Sequence, residues 1–352
     1  MSEGKHRPGR RGPLPVLWLV VILTVLAAAT AFLNPGLRDR LLGRASSSPG
    51  VRPTGPVPGP SVTPPTTPAR GELLVHGTGD VNLDPNYIPT FQSQGYGYAW
   101  SGLGGLFQRD DLTIVNLECP VTTGGTRWEK EFNFRGDPAA VPVMREAGVE
   151  VANLGNNHSL DYGTDGLLDT LEHLRANDVA PVGAGANVVE ANEAAIVEVD
   201  GWRVAVVGFG GVVPWDAWLA DEDSPGMANG DDIDSMVAAV RAAEAQADLV
   251  FVSIHWGVEL DTSPRSEDVE RAHAMIDAGA DAIFGHHAHR LNPMDVYRGR
   301  PVFWGLGNFV WPNHSYEGAV TAVAEVRVTP SGRVTGKLLP AFIEDAGHPV
   351  LQ

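Results

Sequence analysis

Apolar positions follow two different patterns along this chain. The first apolar stretch, LPVLWLVVILTVLAAATAFL (Leu14 to Leu33), is continuous and carries no charge. From Glu72 onward, short apolar runs such as LTIVNLE and LVFVSIHWG alternate with segments whose apolar residues recur every three to four positions. The runs predict strands and the periodic segments predict helices. In one such segment, DGLLDTLEHL, the apolar face is expected to contain Leu167, Leu168, Leu171 and Leu174.

The end of the chain lacks these predicted helices. The runs PVFWGLGNFV, AVTAVAEVRV and GRVTGKLLPAF follow one another directly and are expected to be antiparallel. The whole pattern predicts an α/β body with antiparallel pieces.

The N-terminal apolar stretch is long enough to cross a membrane, because about 20 helical residues match a hydrocarbon core of roughly 30 Å. Basic residues are in excess before it, which favours a cytoplasmic N-terminus and an exported body. We therefore expect a basic cytoplasmic tail (1–13), a signal-anchor span (14–33) and an extracytoplasmic body on the cell membrane. The alternative is a cleaved signal peptide and a secreted body, because ATA at 29–31 fits a small-x-small cleavage pattern.

A proline-rich segment separates the span from the body. Eight of the 26 residues from Ala45 to Arg70 are proline, so residues 34–70 are expected to form an extended linker. Only two of the 43 acidic and nine of the 25 basic residues precede position 71, which leaves 41 acidic and 16 basic residues in the body, 71–352. Such a surface repels nucleic acid, which excludes it as a partner. The only cysteine, Cys119, is expected to be a buried apolar residue.

Polar residues that suit a metal recur where the predicted strands end. Five strand ends carry a carboxylate, an amide or an imidazole: Asp80; Asn116 and Glu118; Asn156, Asn157 and His158; His255; and His286, His287 and His289. Ligands of α/β sheets bind beyond the carboxyl ends of the strands, so these side chains are expected to meet at one edge. Imidazole, carboxylate and amide oxygen suit Zn, Mn or Fe, and a carboxylate can bridge two ions. A structural zinc site of cysteines is excluded.

Each motif alone also has a simpler interpretation. GTGD can be a tight turn, GNNH an asparagine-rich turn, and His255 a hydrogen-bonded core histidine. The segment FGHHAHRL can be a strand end that faces solvent. If it binds a metal, His287 and His289 are the expected ligands, because positions two apart share one side of an extended strand, and His286 is a neighbour.

Six blocks, in order, closely resemble the bacterial capsule synthesis protein CapA family: GTGDVNL, VNLECPVT, ANLGNNHSLDYG, SIHWGVE, GHHAHRLNP and WGLGNFV. The resemblance covers roughly Glu72 to Ala341. It implies an exported protein linked to poly-γ-glutamate capsule production. It also implies a calcineurin-like metallophosphoesterase fold, which is a four-layer α/β/β/α sandwich with two facing mixed sheets, and one or two divalent metal ions.

The same resemblance implies the roles of individual residues. Asn82 stands where related phosphoesterases have a histidine, and Glu118 stands where they have a bridging aspartate. Because amide oxygen is a poorer donor to a transition metal than imidazole, we expect one metal position to be filled and the other to be weak. The implied metal ligands are Asp80, Asn82, Glu118, Asn157, His255, His287 and His289.

Three further residues have two interpretations each. His158 is expected to be a general acid or oxyanion stabiliser, or else to make a structural hydrogen bond. Asp161 either orients His158 or caps the helix that begins near Tyr162. Arg135 either meets an anionic group of a substrate or forms a surface salt bridge.

Two functions that differ in kind remain open from the sequence. The first is an exported metal-dependent hydrolase of the (phospho)esterase type, whose substrate is an anionic polymer such as poly-γ-glutamate or an envelope phosphoester. The second is a non-catalytic component of a polymer synthesis and export complex, in which the metal site is structural or vestigial.

Overall fold

The computed structural model describes residues 69–352. The predicted cytoplasmic tail, the membrane span and nearly all of the linker therefore lie outside the described residues. Within 69–352, no helix is both long and apolar enough to cross a membrane.

Sixteen strands and eight α-helices form the part of the chain that the structure describes. The strands are β1 (Leu73–Val81), β2 (Leu112–Leu117), β3 (Val151–Asn153), β4 (Ala180–Val182), β5 (Ala184–Gly185), β6 (Ala195–Val199), β7 (Trp202–Gly210), β8 (Gly226–Met227), β9 (Leu249–His255), β10 (Ala282–His286), β11 (Met294–Tyr297), β12 (Arg300–Phe303), β13 (Asn308–Val310), β14 (Val320–Val328), β15 (Val334–Asp345) and β16 (His348–Leu351). The helices are α1 (Thr90–Gln94), α2 (Tyr98–Ser101), α3 (Ala140–Glu146), α4 (Gly163–Ala176), α5 (Val188–Ala191), α6 (Ile233–Glu244), α7 (Ser266–Ala278) and α8 (Tyr316–Ala319).

Two mixed sheets carry the fold. In the first sheet β1, β2, β3 and β4 are parallel neighbours, and the antiparallel strands β14, β15 and β16 extend the sheet beyond β1. Strand β13 also pairs with β1, in parallel. The second sheet has the order β11-β12-β10-β9-β7-β6, with four parallel central strands and an antiparallel strand at each edge.

The two sheets face each other across an apolar layer. Val75 and Ile114 of the first sheet are buried in the same cluster as Phe251 and Phe284 of the second. Strand residues of alternate parity point away from this layer, as the two-residue period of a strand requires. The interface between the sheets is therefore the central core of the body.

Helices cover the outer faces of both sheets. Leu167, Leu171 and Leu174 of α4 are buried against the first sheet, whereas Leu168 of the predicted apolar face is 38% exposed. On the second sheet α6 and α7 bury the methionines Met236 and Met275. The predicted four-layer α/β/β/α sandwich with two facing mixed sheets is confirmed.

One strand prediction is wrong. PVFWGLGNFV is two strands in different sheets: β12 is parallel to β10, and β13 is parallel to β1. The chain crosses from one sheet to the other in the glycine-containing segment that joins β12 to β13, where Gly307 has a φ of 72°. A continuous apolar run does not reveal such a crossing, because both halves are buried. The two later runs, β14 and β15, are antiparallel as predicted.

Gly79 allows β13 to approach β1 closely. A Cβ atom at this position would lie 2.1 Å from the carbonyl oxygen of Gly307. The same oxygen accepts the backbone N–H of Asp80 at 2.9 Å. The absence of a side chain at Gly79 therefore leaves room for the hydrogen bond that holds the backbone of Asp80.

Candidate metal centre

Strand ends from both sheets meet at one edge of the body. β1 and β2 bring Asp80 and Glu118, and β9 and β10 bring His255 and the histidines that follow Gly285. Asp80 Oδ1 and His255 Nδ1, which come from different sheets, lie 4.0 Å apart. The carboxyl ends of parallel strands are the expected place for a ligand site in an α/β fold.

Two sets of ligand atoms form at this edge, and within each set all atoms lie within 4.8 Å of one another: Glu118, His255 and His287, and Asp80, Glu118 and His289. Glu118 belongs to both sets. Its Oε1 lies 3.5 Å from Nε2 of His255 and 3.9 Å from Nε2 of His289. A carboxylate shared by two ligand sets has the composition of a bridged pair of cation sites.

The carboxylate of Glu118 has no hydrogen-bond partner among the described residues. Its side chain is fully buried, and neither oxygen receives a hydrogen bond. Burial, together with the neighbouring charge of Asp80, holds the pKa of Glu118 well above its ordinary value. Because a buried carboxylate without donors is costly, a cation is the partner that would satisfy it. The residues present therefore fit a divalent metal.

Asp80 and His289 form a close pair. His289 Nδ1 lies 2.8 Å from Oδ1 of Asn308 and 3.1 Å from Oδ2 of Asp80. The Nδ1 atom of His289 therefore lies between two oxygen acceptors, of which Asn308 Oδ1 is the nearer. Burial acts to raise the pKa of Asp80, but the hydrogen bonding and charge of His289 outweigh it and lower that pKa.

The two neighbouring carboxylates determine the pKa of His289. Burial acts to lower this pKa, but the charges of Glu118 and Asp80 raise it to about 9. His287 and His255 behave in the opposite way. Burial lowers the pKa of His287 to about 4 and that of His255 well below its usual range, with the other histidines adding to the effect. Neutral imidazole is the form that binds a metal.

His287 and His289 do not lie on an extended strand, so that prediction is wrong. Strand β10 ends at His286, and the two following histidines have φ values of 88° and 51°, in the left-handed region. A tight turn, not strand spacing, places their ring centroids 6.2 Å apart. Left-handed backbone at a non-glycine residue costs on the order of 1–3 kcal/mol and is concentrated at functional sites.

His158 follows β3 and is oriented by Asp161. His158 Nδ1 lies 2.8 Å from Asp161 Oδ2, which also accepts the backbone N–H of Phe134 at 2.7 Å. Helix α4 begins after Tyr162 without a side-chain cap, so the capping alternative for Asp161 is wrong. Burial lowers the pKa of His158, although Asp161 acts against this shift.

The two asparagines with predicted ligand roles differ in their surroundings. Asn157 Oδ1 lies 2.9 Å from His255 Nε2, beside the first ligand set. Asn82 is fully buried, but its Oδ1 accepts the backbone N–H of Asp84 at 2.8 Å. The oxygen that a metal would need at Asn82 is therefore already hydrogen-bonded.

Arg135 and His286 belong to neither ligand set. The Arg135 guanidinium lies 3.7 Å from the centroid of the Tyr162 ring and donates to the carbonyl oxygen of Gly124 at 3.2 Å. It pairs with no carboxylate within 69–352, so the surface salt bridge is wrong. His286 Nε2 lies 2.9 Å from the hydroxyl oxygen of Ser253, which fits the prediction that it is a neighbour.

Three residues that complete the candidate site were not among the predicted ligands or catalytic residues. Asn116 Nδ2 donates to Asp80 Oδ1 at 2.9 Å and lies 3.1 Å from His255 Nδ1. Asn308 holds His289, and Lys130 holds Asp161, with 2.5 Å between Nζ and Oδ1. The strand end and the GLGNF block mark the two asparagines, whereas Lys130 lies in an irregular loop and has no signal in the sequence pattern.

Several known proteins are similar to this chain in sequence. Residues 75–313 match the family model described as bacterial capsule synthesis protein PGA_cap. The chain is 32% identical over 244 residues to the PGA biosynthesis protein CapA of Bacillus subtilis, covering 68% of this chain and 64% of that protein. It is 36% identical over 219 residues to a "Probable polyglutamine synthesis accessory protein" of Mycobacterium tuberculosis, covering 59% and 57%. Each alignment spans less than two thirds of the relative's length.

The fold was also compared with solved structures. The Haemophilus influenzae NAD nucleotidase is similar over 77% of this chain and 56% of that chain, with a TM-score of 0.48 and 16% sequence identity.

Proposed function

This chain belongs to the bacterial capsule synthesis protein PGA_cap family, and from that premise we propose that it is an exported accessory protein of capsule or poly-γ-glutamate synthesis with a metal-dependent hydrolase site. One observation carries the proposal: Glu118 is fully buried, is shared by two ligand sets and has no hydrogen-bond donor. Apolar residues in place of buried charges are often neutral or stabilising. A carboxylate at this position therefore supports cation binding over a purely structural role.

The proposed site takes one or two divalent ions, and its imidazole and carboxylate groups suit Mn, Zn or Fe. One position would be formed by Glu118, His255 and His287, with Asn157 beside it, and the other by Asp80, Glu118 and His289. Asn82 is a weak proposed ligand, because one lone pair of its amide oxygen already accepts a backbone hydrogen bond.

Bound divalent ions supply Lewis acidity toward a substrate oxygen and lower the pKa of water. The residues of the chain do the remaining work in the proposed reaction. His158 would exchange a proton with the leaving group, and Asp161 would hold its ring through Nδ1. The hydrogen bond from the backbone of Phe134 keeps the Asp161 carboxylate in place.

We place the body outside the cell membrane. The apolar segment 14–33 would be a single span, the proline-rich segment 34–70 a spacer, and 71–352 the functional domain. This part of the proposal rests on the sequence, and secretion after signal cleavage is its alternative.

The proposed substrate is an anionic polymer such as poly-γ-glutamate, or an envelope phosphoester. The names of the relatives support the polymer, and a polymer synthase or export complex is the corresponding protein partner. Arg135 supports an anionic ligand, because its guanidinium lies on the Tyr162 ring and forms no ion pair within the described residues. In a body with many more acidic than basic residues, an unpaired cation is the expected contact for such a ligand.

A non-catalytic role in polymer synthesis is the second candidate. The observation that favours it is the hydrogen-bonded oxygen of Asn82, because a ligand set weakened at one position is suited to hold a single structural ion.

The test uses the full chain in detergent, loaded with Mn²⁺ and analysed for metal content. Hydrolysis of bis(p-nitrophenyl) phosphate and of poly-γ-glutamate is then measured for the wild type, His287→Ala and His158→Ala. His287→Ala should lose metal and activity, and His158→Ala should lose activity but retain metal. Lys337→Met, which changes a half-exposed lysine paired with Glu325, is the matched control.

Two results would reject parts of the proposal. A wild-type protein that binds no Mn, Zn or Fe would reject the metal site. A metal-loaded protein that hydrolyses neither substrate, in cells whose capsule output still requires it, would establish the non-catalytic role instead.

A further inference from the structure

Lys130 is a largely buried lysine beside the proposed site. Its side chain is 13% exposed, and it lies in the loop between β2 and α3. The body contains only one other lysine, Lys337, whose side chain is 58% exposed. The two residues therefore form a natural pair of test and control.

The ammonium group of Lys130 contacts three successive features of the turn after β3. Nζ lies 2.5 Å from Oδ1 of Asp161, 2.6 Å from the backbone carbonyl oxygen of Asn157 and 3.2 Å from Nδ1 of His158. One charged group thus joins the proposed acid–base residue, its carboxylate partner and the backbone of a proposed metal ligand.

The remaining side of the ammonium group faces an aromatic cluster, which we define as Trp128, Trp215 and Trp218. Nζ lies 4.9 Å from the centroid of the Trp218 ring, within the range of a cation–π interaction. The Trp218 centroid is 5.6 Å from that of Trp128 and 5.4 Å from that of Trp215. Lys130 therefore connects the tryptophan cluster to the turn that carries His158.

The donors and acceptors determine how this contact acts. An ammonium group only donates, so it cannot accept a proton from His158 Nδ1. The Asp161 carboxylate is the better partner of Nδ1, since that distance is 2.8 Å. Lys130 then binds the other carboxylate oxygen, and Asp161 is held from both sides. This arrangement favours the His158 tautomer that carries its proton on Nδ1.

A buried charge at this position is costly unless it has a specific partner. Burial lowers the pKa of Lys130, and Asp161 acts against this shift. A methionine has similar length and would pack against the Trp218 ring without that cost. The presence of a charged residue at this position is therefore best explained by its contacts with Asp161 and Asn157.

We propose that Lys130 is a positioning residue of the site: its ammonium group holds Asp161 and the Asn157 backbone directly, and through Asp161 it holds the His158 ring. Asn157 in turn contacts His255 at 2.9 Å, so the same unit reaches the metal ligands. The role of Lys130 in metal binding and catalysis rests on the proposed function, but its contacts with Asp161 and Asn157 do not.

The test compares Lys130→Met, Lys130→Arg and Lys337→Met in the full chain. Mn²⁺ affinity is measured from free Mn²⁺ by electron paramagnetic resonance. The His158 tautomer is read from ¹⁵N-histidine spectra of the metal-free protein and assigned with His158→Gln. Loss of a group that holds metal ligands typically weakens binding about 10–100-fold. Lys130→Met should show that loss and a changed His158 tautomer, Lys130→Arg should recover most of both, and Lys337→Met should match the wild type.

Two outcomes would overturn the proposal. One is a folded Lys130→Met protein with wild-type Mn²⁺ affinity and an unchanged His158 signal. The other is an equal loss in Lys130→Arg and Lys130→Met, since the charge would then be irrelevant.

If Lys130→Met does not fold, the proposal is tested instead by reductive methylation of the lysines in the wild type and in Asp161→Asn. Lys130 should resist modification in the wild type and react in Asp161→Asn, whereas Lys337 should react in both. A Lys130 that reacts as fast as Lys337 in the wild type, or that stays unreactive in Asp161→Asn, would contradict the proposal. None of these measurements is an activity, so a wild type that hydrolyses neither substrate would reject the hydrolase and leave this test intact.

Discussion

Replacement of Glu118 by glutamine should have opposite effects on the metal-free and metal-loaded protein. In the metal-free protein, Glu118→Gln removes a fully buried carboxylate that has no donor and lies beside Asp80. The same change removes the one carboxylate that both ligand sets share. The variant should therefore be more stable than the wild type without metal and less stable with it.

The size of both effects follows from general magnitudes. An unsatisfied buried polar group costs about 1–3 kcal/mol, and more if it is charged. For a domain of this size, 1 kcal/mol corresponds to roughly 2–4 °C in Tm, so the metal-free variant should melt several degrees higher. A metal at 100 times its Kd stabilises the wild type by about 2.7 kcal/mol, and the variant should lose most of this gain.

The pH dependence of the metal-free comparison has a definite sign. Burial raises the pKa of Glu118, so the folded state holds its proton more tightly than the unfolded state. The wild type therefore loses stability as pH rises, and glutamine does not. The advantage of Glu118→Gln should increase with pH.

The assay is thermal unfolding of the full chain with and without Mn²⁺. The matched control is Glu325→Gln, because Glu325 is also buried but accepts hydrogen bonds from Arg327 and lies 3.1 Å from Lys337 Nζ. Neutralising a paired carboxylate should lower Tm and leave the Mn²⁺ effect intact. A Glu118→Gln protein that is less stable without metal, or that gains as much from Mn²⁺ as the wild type, would refute the reasoning.

Loss of a residue that only supports a metal ligand typically weakens metal binding about 10–100-fold. His287→Ala removes a proposed ligand itself, so a Mn²⁺ titration should show a larger loss of affinity. At saturating Mn²⁺, where elemental analysis should find the metal content of the wild type, Asp161→Asn should reduce hydrolysis about 10–100-fold. Burial raises the pKa of Glu150 from 4.5 to about 7. The wild type should therefore lose stability as pH rises between these two values, whereas Glu150→Gln should not, and melting curves at several pH values will show this. Gly79→Ala should destabilise the body by about 1–3 kcal/mol in denaturant unfolding, because its Cβ would meet the carbonyl oxygen of Gly307.

The layers of the fold were predictable, because buried strands and amphipathic helices each have a clear period. Three of the four periodic leucines of α4 and the apolar runs of β2 and β9 are where the pattern placed them, whereas Leu168 is exposed. The division of PVFWGLGNFV between two sheets was not predictable. Both of its halves are buried, so their apolar character is the same whichever sheet they join.

The proximity of five residues of the candidate site was predictable, but their geometry was not. Asp80, Glu118, His255, His287 and His289 come together because parallel strands deliver their carboxyl ends to one edge. The left-handed turn at His287 and His289 has no local signal, since neither residue is a glycine. Lys130 was missed for a similar reason: an irregular loop has no period, and only the tertiary structure brings the lysine to Asp161.

Three costs of different kinds meet at this one edge. The strained backbone at His287 and His289, the unpaired oxygens of Glu118 and the largely buried charge of Lys130 each oppose stability. Natural sequences break local rules mainly where function requires it. A cation at Glu118 would offset the desolvation of the carboxylates, and the turn would then be the means of bringing two imidazoles to it. Without a bound cation there is no compensation at Glu118, which is why metal binding, rather than hydrolysis, is the first property that has to be measured.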